Sequence, residues 1–194
     1  MSNVSVIAAV EALDAADLAA ADTAVGIDLL RDVRRTRGWL DAVEARISSR
    51  MRDLSTVAPG ATGPAATAVS DLHGAVGGVS AAEGRRRERR SKTLDDAPSF
   101  ADALATGKIG AEHVDALANA TTGLDDTIKT ELLEQEESLL AAASSKTPEE
   151  FTRVCRDRNR RLERDQGISR NRQQRNDTDL RRKINRATGR TEGR

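Results

Sequence analysis

The feature that most constrains the fold of this chain is a long helical repeat of apolar residues. In residues 26–54 these side chains recur at steps of three and four positions, separated by arginine and aspartate: Ile27, Leu30, Val33, Leu40, Val43, Ile47, Met51 and Leu54. This spacing follows the period of an α-helix with one apolar face. It predicts a long amphipathic helix, in which Gly38 and Trp39 interrupt a strict heptad repeat.

A second helical pattern in residues 4–22 precedes it, and no segment shows the alternation typical of a strand. Two consecutive amphipathic helices favour an antiparallel pair or a dimerising coiled coil. Apolar residues make up 38% of the chain and are largely alanine, while aromatic residues make up 2%, so that any core is thin. We therefore predict an all-α fold, an elongated helical bundle of about six helices with a disordered or frayed basic C-terminal tail.

Composition divides the chain into four segments. The stretch from Ala58 to Pro64 holds two prolines and two glycines, which is typical of a linker. Capping-box patterns mark later helix starts at Ser80 and Thr147. We predict paired long amphipathic helices in 1–57, a Pro/Gly/Ala linker with a weak helix in 58–79, a helical module in 80–166 and a basic, poorly ordered tail in 167–194.

The net charge of zero conceals an uneven distribution along the chain. Residues 1–150 carry 16 basic and 25 acidic residues, whereas residues 151–194 carry 15 basic and 6 acidic ones. This pattern indicates an acidic body with a basic tail. The alternative is a chain whose two halves attract each other.

Cysteine usage and the amino terminus bear on the cellular compartment. The single cysteine, Cys155, cannot form an intramolecular disulfide, which suits a reducing interior. The first residues lack the basic region of a signal peptide, and no apolar run approaches the roughly 18 residues of a membrane span. We expect a cytoplasmic protein without a membrane partner.

The sequence offers few residues for catalysis or metal binding. Its two histidines, His73 and His113, lie forty residues apart on different segments, whereas metal ligands cluster at helix or hairpin spacing. No phosphate-binding loop or dinucleotide fingerprint is present, and Cys155 lies on an apolar face as a small core residue would. We predict no catalytic residue, no metal site and no cofactor.

The candidate site is a run of arginines that follows Ser80. We predict that DNA phosphates are contacted by Arg85, Arg86, Arg87, Arg89 and Arg90, with Lys92 and Lys108 nearby. Consecutive helical positions surround the helix, so some of these side chains must point inward. The absence of tyrosine argues against stacking on bases, which leaves electrostatic and weakly sequence-selective binding. The alternative is a solvated face that pairs with Glu83, Asp95 or the acids of 131–137.

A family resemblance is carried by four segments: 39–47, 80–87, 103–114 and 147–151. They resemble the actinobacterial domain of unknown function that precedes an HNH endonuclease module in the thirteen-E-twelve repeat proteins. The positions that match the family pattern are Gly107, Ile109 and His113. The positions that depart from it, where alanine, serine and alanine are usual, are Gly84, Gly110 and Glu112.

The resemblance spans roughly residues 26–188 and implies an association with DNA. Members of that family are endonucleases through the HNH module, whose histidines and asparagine are absent from this sequence. The resemblance therefore implies an amino-terminal part, truncated before the nuclease, that is no enzyme by itself. The stretch around Gly107 and His113 is also similar to helix-turn-helix segments of plasmid-partition proteins, which bind DNA.

The residues and the resemblance together predict a non-catalytic helical module that binds DNA electrostatically. The alternative is a structural or oligomerisation module without nucleic-acid binding, in which the helices of residues 4–54 pair between chains as a homo-oligomer.

Overall fold

The computed structural model describes residues 3–57 and 68–181. Secondary structure in these two ranges is entirely helical, which confirms the all-α prediction. The helices are α1 (Asn3–Asp14), α2 (Thr23–Val57), α3 (Val69–Gly77), α4 (Ala81–Asp96), α5 (Pro98–Ala105), α6 (Ala111–Thr121), α7 (Asp126–Leu133), α8 (Glu136–Ser145) and α9 (Pro148–Arg181).

The described ranges therefore hold nine helices, and the expected number of about six was wrong. The difference comes from short helices, since α3, α5, α7 and α8 each have ten residues or fewer. At such lengths caps, glycine and proline set the boundaries rather than a visible apolar period. Residues 125–143, for example, are divided at Gln135, whose φ of −89° and ψ of 19° interrupt the helix.

The core lies where α4, α5 and α6 meet the long helices α2 and α9. Phe100 of α5 and Phe151 of α9 are fully buried, and their ring centroids are 6.1 Å apart, a distance typical of a favourable aromatic pair. Aliphatic side chains surround them, notably Leu104, Ile109, Val114, Leu117, Leu132 and Leu139. Buried alanines complete this core, as the composition suggested, and they include Ala42, Ala45, Ala97 and Ala103.

Helix α2 is continuous through Gly38, where the sequence suggested an interruption. A Cβ atom at this position would lie 2.4 Å from the carbonyl oxygen of Leu104. The glycine therefore allows the end of α5 to approach the backbone of α2. Helix α2 contacts α1 and also packs against α4 and α5, so helices from 1–57 and 80–166 share one core.

Gly84 of α4 has a similar role against α3. A Cβ atom here would lie 2.2 Å from the carbonyl oxygen of Ser70. By helix propensity alone, a glycine at this position would weaken the arginine-rich helix. The structure shows that it permits the close packing of α3 on α4, which contact each other extensively.

Both helices begin at the predicted caps, and the reciprocal pair of hydrogen bonds that makes a capping box is formed at Thr147 but not at Ser80. The Ser80 hydroxyl accepts a hydrogen bond from the Glu83 N–H at 3.2 Å at the start of α4. At the start of α9 the Thr147 hydroxyl accepts from the Glu150 N–H, and the Glu150 carboxylate accepts from the Thr147 N–H at 3.0 Å. These bonds satisfy amides that have no partner within the helix.

Two parts of the predicted organisation concern residues beyond the described ranges. The linker at 58–64 lies outside them, as do the last thirteen residues of the tail, 182–194. Helix α9 continues through Arg181, past the boundary placed at residue 167, and the division into four segments remains a prediction. None of the helices that the structure describes is long and apolar enough to cross a membrane.

Candidate functional site

Arginine side chains leave α4 in different directions, as consecutive helical positions require. Because α4 packs against α2, α3 and α6, each direction meets a different environment. Arg85, Arg86 and Arg89 are exposed, Arg87 is partly buried and Arg90 is buried. The predicted contact set therefore separates into side chains that face solvent and side chains that hold the fold together.

Arg90 forms the most buried ion pair of the described residues. Its Nε and Nη2 atoms donate to the two carboxylate oxygens of Asp115 in α6, at 2.9 and 2.7 Å. The two side chains are 8% and 12% exposed. Burial by itself would lower the pKa of Arg90, but the hydrogen bonds and charge of Asp115 outweigh it, and the pKa is raised. Arg90 is therefore a charged clamp between helices.

Asp41 of α2 completes the surroundings of Arg90. Its Oδ1 atom lies 3.5 Å from Arg90 Nη1. Burial raises the pKa of Asp41, and the positive charge of Arg90 opposes that rise only in part. The Arg90 guanidinium thus joins α4 to α2 as well as to α6, and it is not positioned to reach a ligand in solvent.

Arg87 and Arg86 are held by a second group of carboxylates. Arg87 donates to Glu83 at 3.0 Å and to both carboxylate oxygens of Glu44 in α2, at 2.9 and 3.0 Å. Arg86 pairs with Glu83 at 2.8 Å and lies 3.6 Å from Asp115. Burial would raise the pKa of Glu83, but the hydrogen bonds from Arg87 and Arg86 lower it overall. The pairing with Glu83 matches the alternative that the sequence left open.

Lys92 pairs along the helix with Glu88, at 2.8 Å between Nζ and Oε1. Burial would raise the pKa of Glu88, but the Lys92 hydrogen bond and charge lower it overall. The Lys92 side chain remains 57% exposed, so that its ammonium group still faces solvent. Glu88 is only 19% exposed, so the solvent-facing end of this pair is the Lys92 ammonium group.

Arg85 and Arg89 differ from the rest of the run, because neither has an ion pair with a carboxylate of the described residues. Together with Lys92 they occupy positions i, i+4 and i+7, which lie on one face of a helix. We call these three residues the outer face of α4. Lys108 lies instead in the loop between α5 and α6, where its carbonyl oxygen accepts from Arg34 at 3.2 Å.

Helix α9 presents a further arginine face that the predicted site did not include. Its exposed members are Arg153, Arg156, Arg160 and Arg164. They recur at steps of three and four residues, which is the signal in the sequence that could have identified them. Arg160 forms an ion pair with Asp157. The other three form no ion pair with a carboxylate of the described residues, although the charge of Arg153 contributes to lowering the pKa of Glu149.

His113 and Cys155 are both buried in the helical core rather than exposed at a site. His113 is buried, its Nε2–H donates to the Lys146 carbonyl at 3.0 Å, and its Nδ1 accepts from the Gly110 N–H at 3.3 Å. Burial raises the pKa of the Cys155 thiol to about 12, so the thiolate is scarce near neutral pH. Within 3–57 and 68–181, no group of three or more His, Cys, Asp or Glu side chains could hold a metal ion.

This geometry defines a class: an all-helical protein whose arginine-rich central helix is anchored on one side by partly buried carboxylates and exposed on the other. Residues 27–193 match a family model described as "Domain of unknown function (DUF222)", and the chain belongs to that family. No match was found among curated proteins or among solved structures.

Proposed function

We propose that this protein is a non-catalytic helical module that binds the phosphate backbone of DNA through the outer face of α4. One observation supports this most directly. Arg85 and Arg89 remain exposed and without a carboxylate partner in the described ranges, although the neighbouring Arg86, Arg87 and Arg90 are paired. The residues first considered for DNA contact are thus narrowed to Arg85, Arg89 and Lys92.

The paired arginines contribute indirectly to such a surface. A helix rises about 1.5 Å per residue, so Arg85 and Lys92 are separated by about 10 Å along the axis. The Arg90 and Arg87 pairs fix the rotation of α4 about that axis, which keeps the outer face directed to solvent. Guanidinium and ammonium groups held in a line suit a row of phosphates and carry no base selectivity.

The family resemblance supports the same role in relation to a nuclease. The segments at 80–87 and 103–114 resemble the region before an HNH module. They form the N-cap and first half of α4, which includes Arg85, and the end of α5 through the start of α6. In this proposal the chain supplies DNA affinity and an HNH module supplies the cleavage.

A salt titration tests the proposal. Three phosphate contacts give a log–log slope of binding constant against salt of about −2 to −3. The double variant Arg85→Glu/Arg89→Glu is expected to weaken binding of duplex DNA by more than about tenfold. The matched control is Arg31→Glu/Arg35→Glu, which has the same spacing and charge change on exposed residues that pair with Asp28 and Asp32.

Two outcomes would contradict this assignment. A binding constant that is independent of salt rejects a phosphate interface altogether. Equal losses in the α4 variant and its control attribute the effect to overall charge rather than to the outer face. If an Arg153→Glu/Arg156→Glu variant alone loses affinity, the contact lies on α9 instead.

A further inference from the structure

The face of α2 that points away from α4 and α5 is apolar and exposed. Leu40, Ile47 and Leu54 are 53%, 56% and 51% exposed, and they are spaced by seven residues. Val43 and Met51 lie between them, and with Arg46, Ile47 and Arg50 they line a shallow groove. A heptad stripe of this kind on a helix surface is the sequence pattern of a helix–helix interface.

Helix α1 covers only the first half of this face. It has 12 residues and contacts α2 after a connection of eight residues. A helix of that length is about 18 Å long, so it can extend along α2 only to about residue 37. Thr36, on the same side of α2, is indeed buried, as is Val6 of α1. The stripe from Leu40 to Leu54 continues this interface but has no covering helix in the part of the chain that the structure describes.

We propose that this stripe pairs with α2 of a second copy of the chain in antiparallel orientation. A two-fold axis brings the same stripe from both copies together, as in most homodimers. Placing Val43 opposite the partner's Leu54 also places Ile47 opposite the partner's Arg50. In that register Arg46 of each copy faces Asp53 of the other.

Charge complementarity favours this register over its neighbours. A register centred on Ile47 would bring Arg46 and Arg50 of both copies together, which is repulsive. The proposed register instead forms two Arg46–Asp53 pairs between copies. Asp53 also interacts within its own chain, and its carboxylate can accept from a second donor. Arg50 in the centre is a polar interruption of the kind that sets register at a cost in stability.

The self-association does not depend on DNA binding, because it uses α2 and not the outer face of α4. Sedimentation equilibrium of the full chain without DNA measures it. We expect a dimer at about 100 µM, as an interface of this modest size gives weak affinity. Ile47→Asp is expected to yield a monomer, whereas the matched control Val76→Asp, at a residue of α3 that is 88% exposed, leaves the dimer intact.

A charge exchange tests the register itself. Arg46→Asp and Asp53→Arg each replace two attractive pairs by two repulsive ones, and each is expected to raise the dimer dissociation constant at least about tenfold. Mixing the two variants should form a heterodimer, because both of its pairs are attractive, and the double variant should regain the homodimer.

Three results would overturn the proposal. They are a monomeric wild-type chain at that concentration, a dimer unaffected by Ile47→Asp, and a mixture of the two charge variants that fails to associate. A monomeric wild-type chain would point to a helix of another protein as the partner of the stripe. A dimer unaffected by Ile47→Asp would place the dimer interface elsewhere.

Discussion

Replacing Arg90 by methionine is expected to lower the free energy of unfolding by about 3 kcal/mol, because Asp115 is then left buried without its partner. Asp115 is 12% exposed and receives two hydrogen bonds from Arg90. Methionine fills much of the same volume, so the loss reports on charge rather than on a cavity. Arg86, at 3.6 Å from Asp115, compensates only in part.

Urea unfolding followed by circular dichroism measures this change in the free energy of unfolding. Two further variants show whether the lost ion pair causes it. Arg89→Met makes the same substitution on the exposed side of α4 and should stay within about 0.5 kcal/mol of the wild type. Arg90→Met/Asp115→Leu removes both charges and should recover most of the loss, since well-packed apolar residues can replace a buried ion pair. A single variant as stable as Arg89→Met would show that Arg90 is not a structural clamp.

The sequence alone could not predict which arginines of α4 face solvent and which are paired with carboxylates. The run at 85–90 showed that some side chains must face inward, because consecutive positions surround a helix. It did not show which ones, since the deciding carboxylates, Asp115 and Glu44, lie 25 and 43 residues away in the chain. Pairing over such separations depends on how α2, α4 and α6 pack, and no local pattern encodes it.

By contrast, the sequence predicted the features that depend on residues close together in the chain. The Ser80 and Thr147 caps were found because a capping box joins residues three apart. The amphipathic pattern of α2 was also recognised, because it repeats at steps of three and four residues. Its uncovered stripe was visible as a heptad, but only the structure shows that α4 and α5 pack on the opposite face and leave it exposed.

At two glycines, helix propensity and tertiary packing predict opposite effects of a substitution on stability. By helix propensity alone, Gly84→Ala and Gly38→Ala would each stabilise the protein by about 1 kcal/mol. The structure predicts the reverse, because the added Cβ atoms would lie 2.2 Å from the Ser70 oxygen and 2.4 Å from the Leu104 oxygen. Both are backbone atoms of packed helices, so that relief requires α3 or α5 to move.

We expect each substitution to cost about 3 kcal/mol through overpacking, for a net loss of about 2 kcal/mol after the gain in propensity. Gly26→Ala is the matched control, since it lies in α2 with nothing within 4 Å of the added atom, and it should stabilise by about 0.5–1 kcal/mol. Urea midpoints of the three variants decide the matter. If all three midpoints rise, helix propensity dominates at these positions, and the close approach of α3 and α5 does not constrain the sequence.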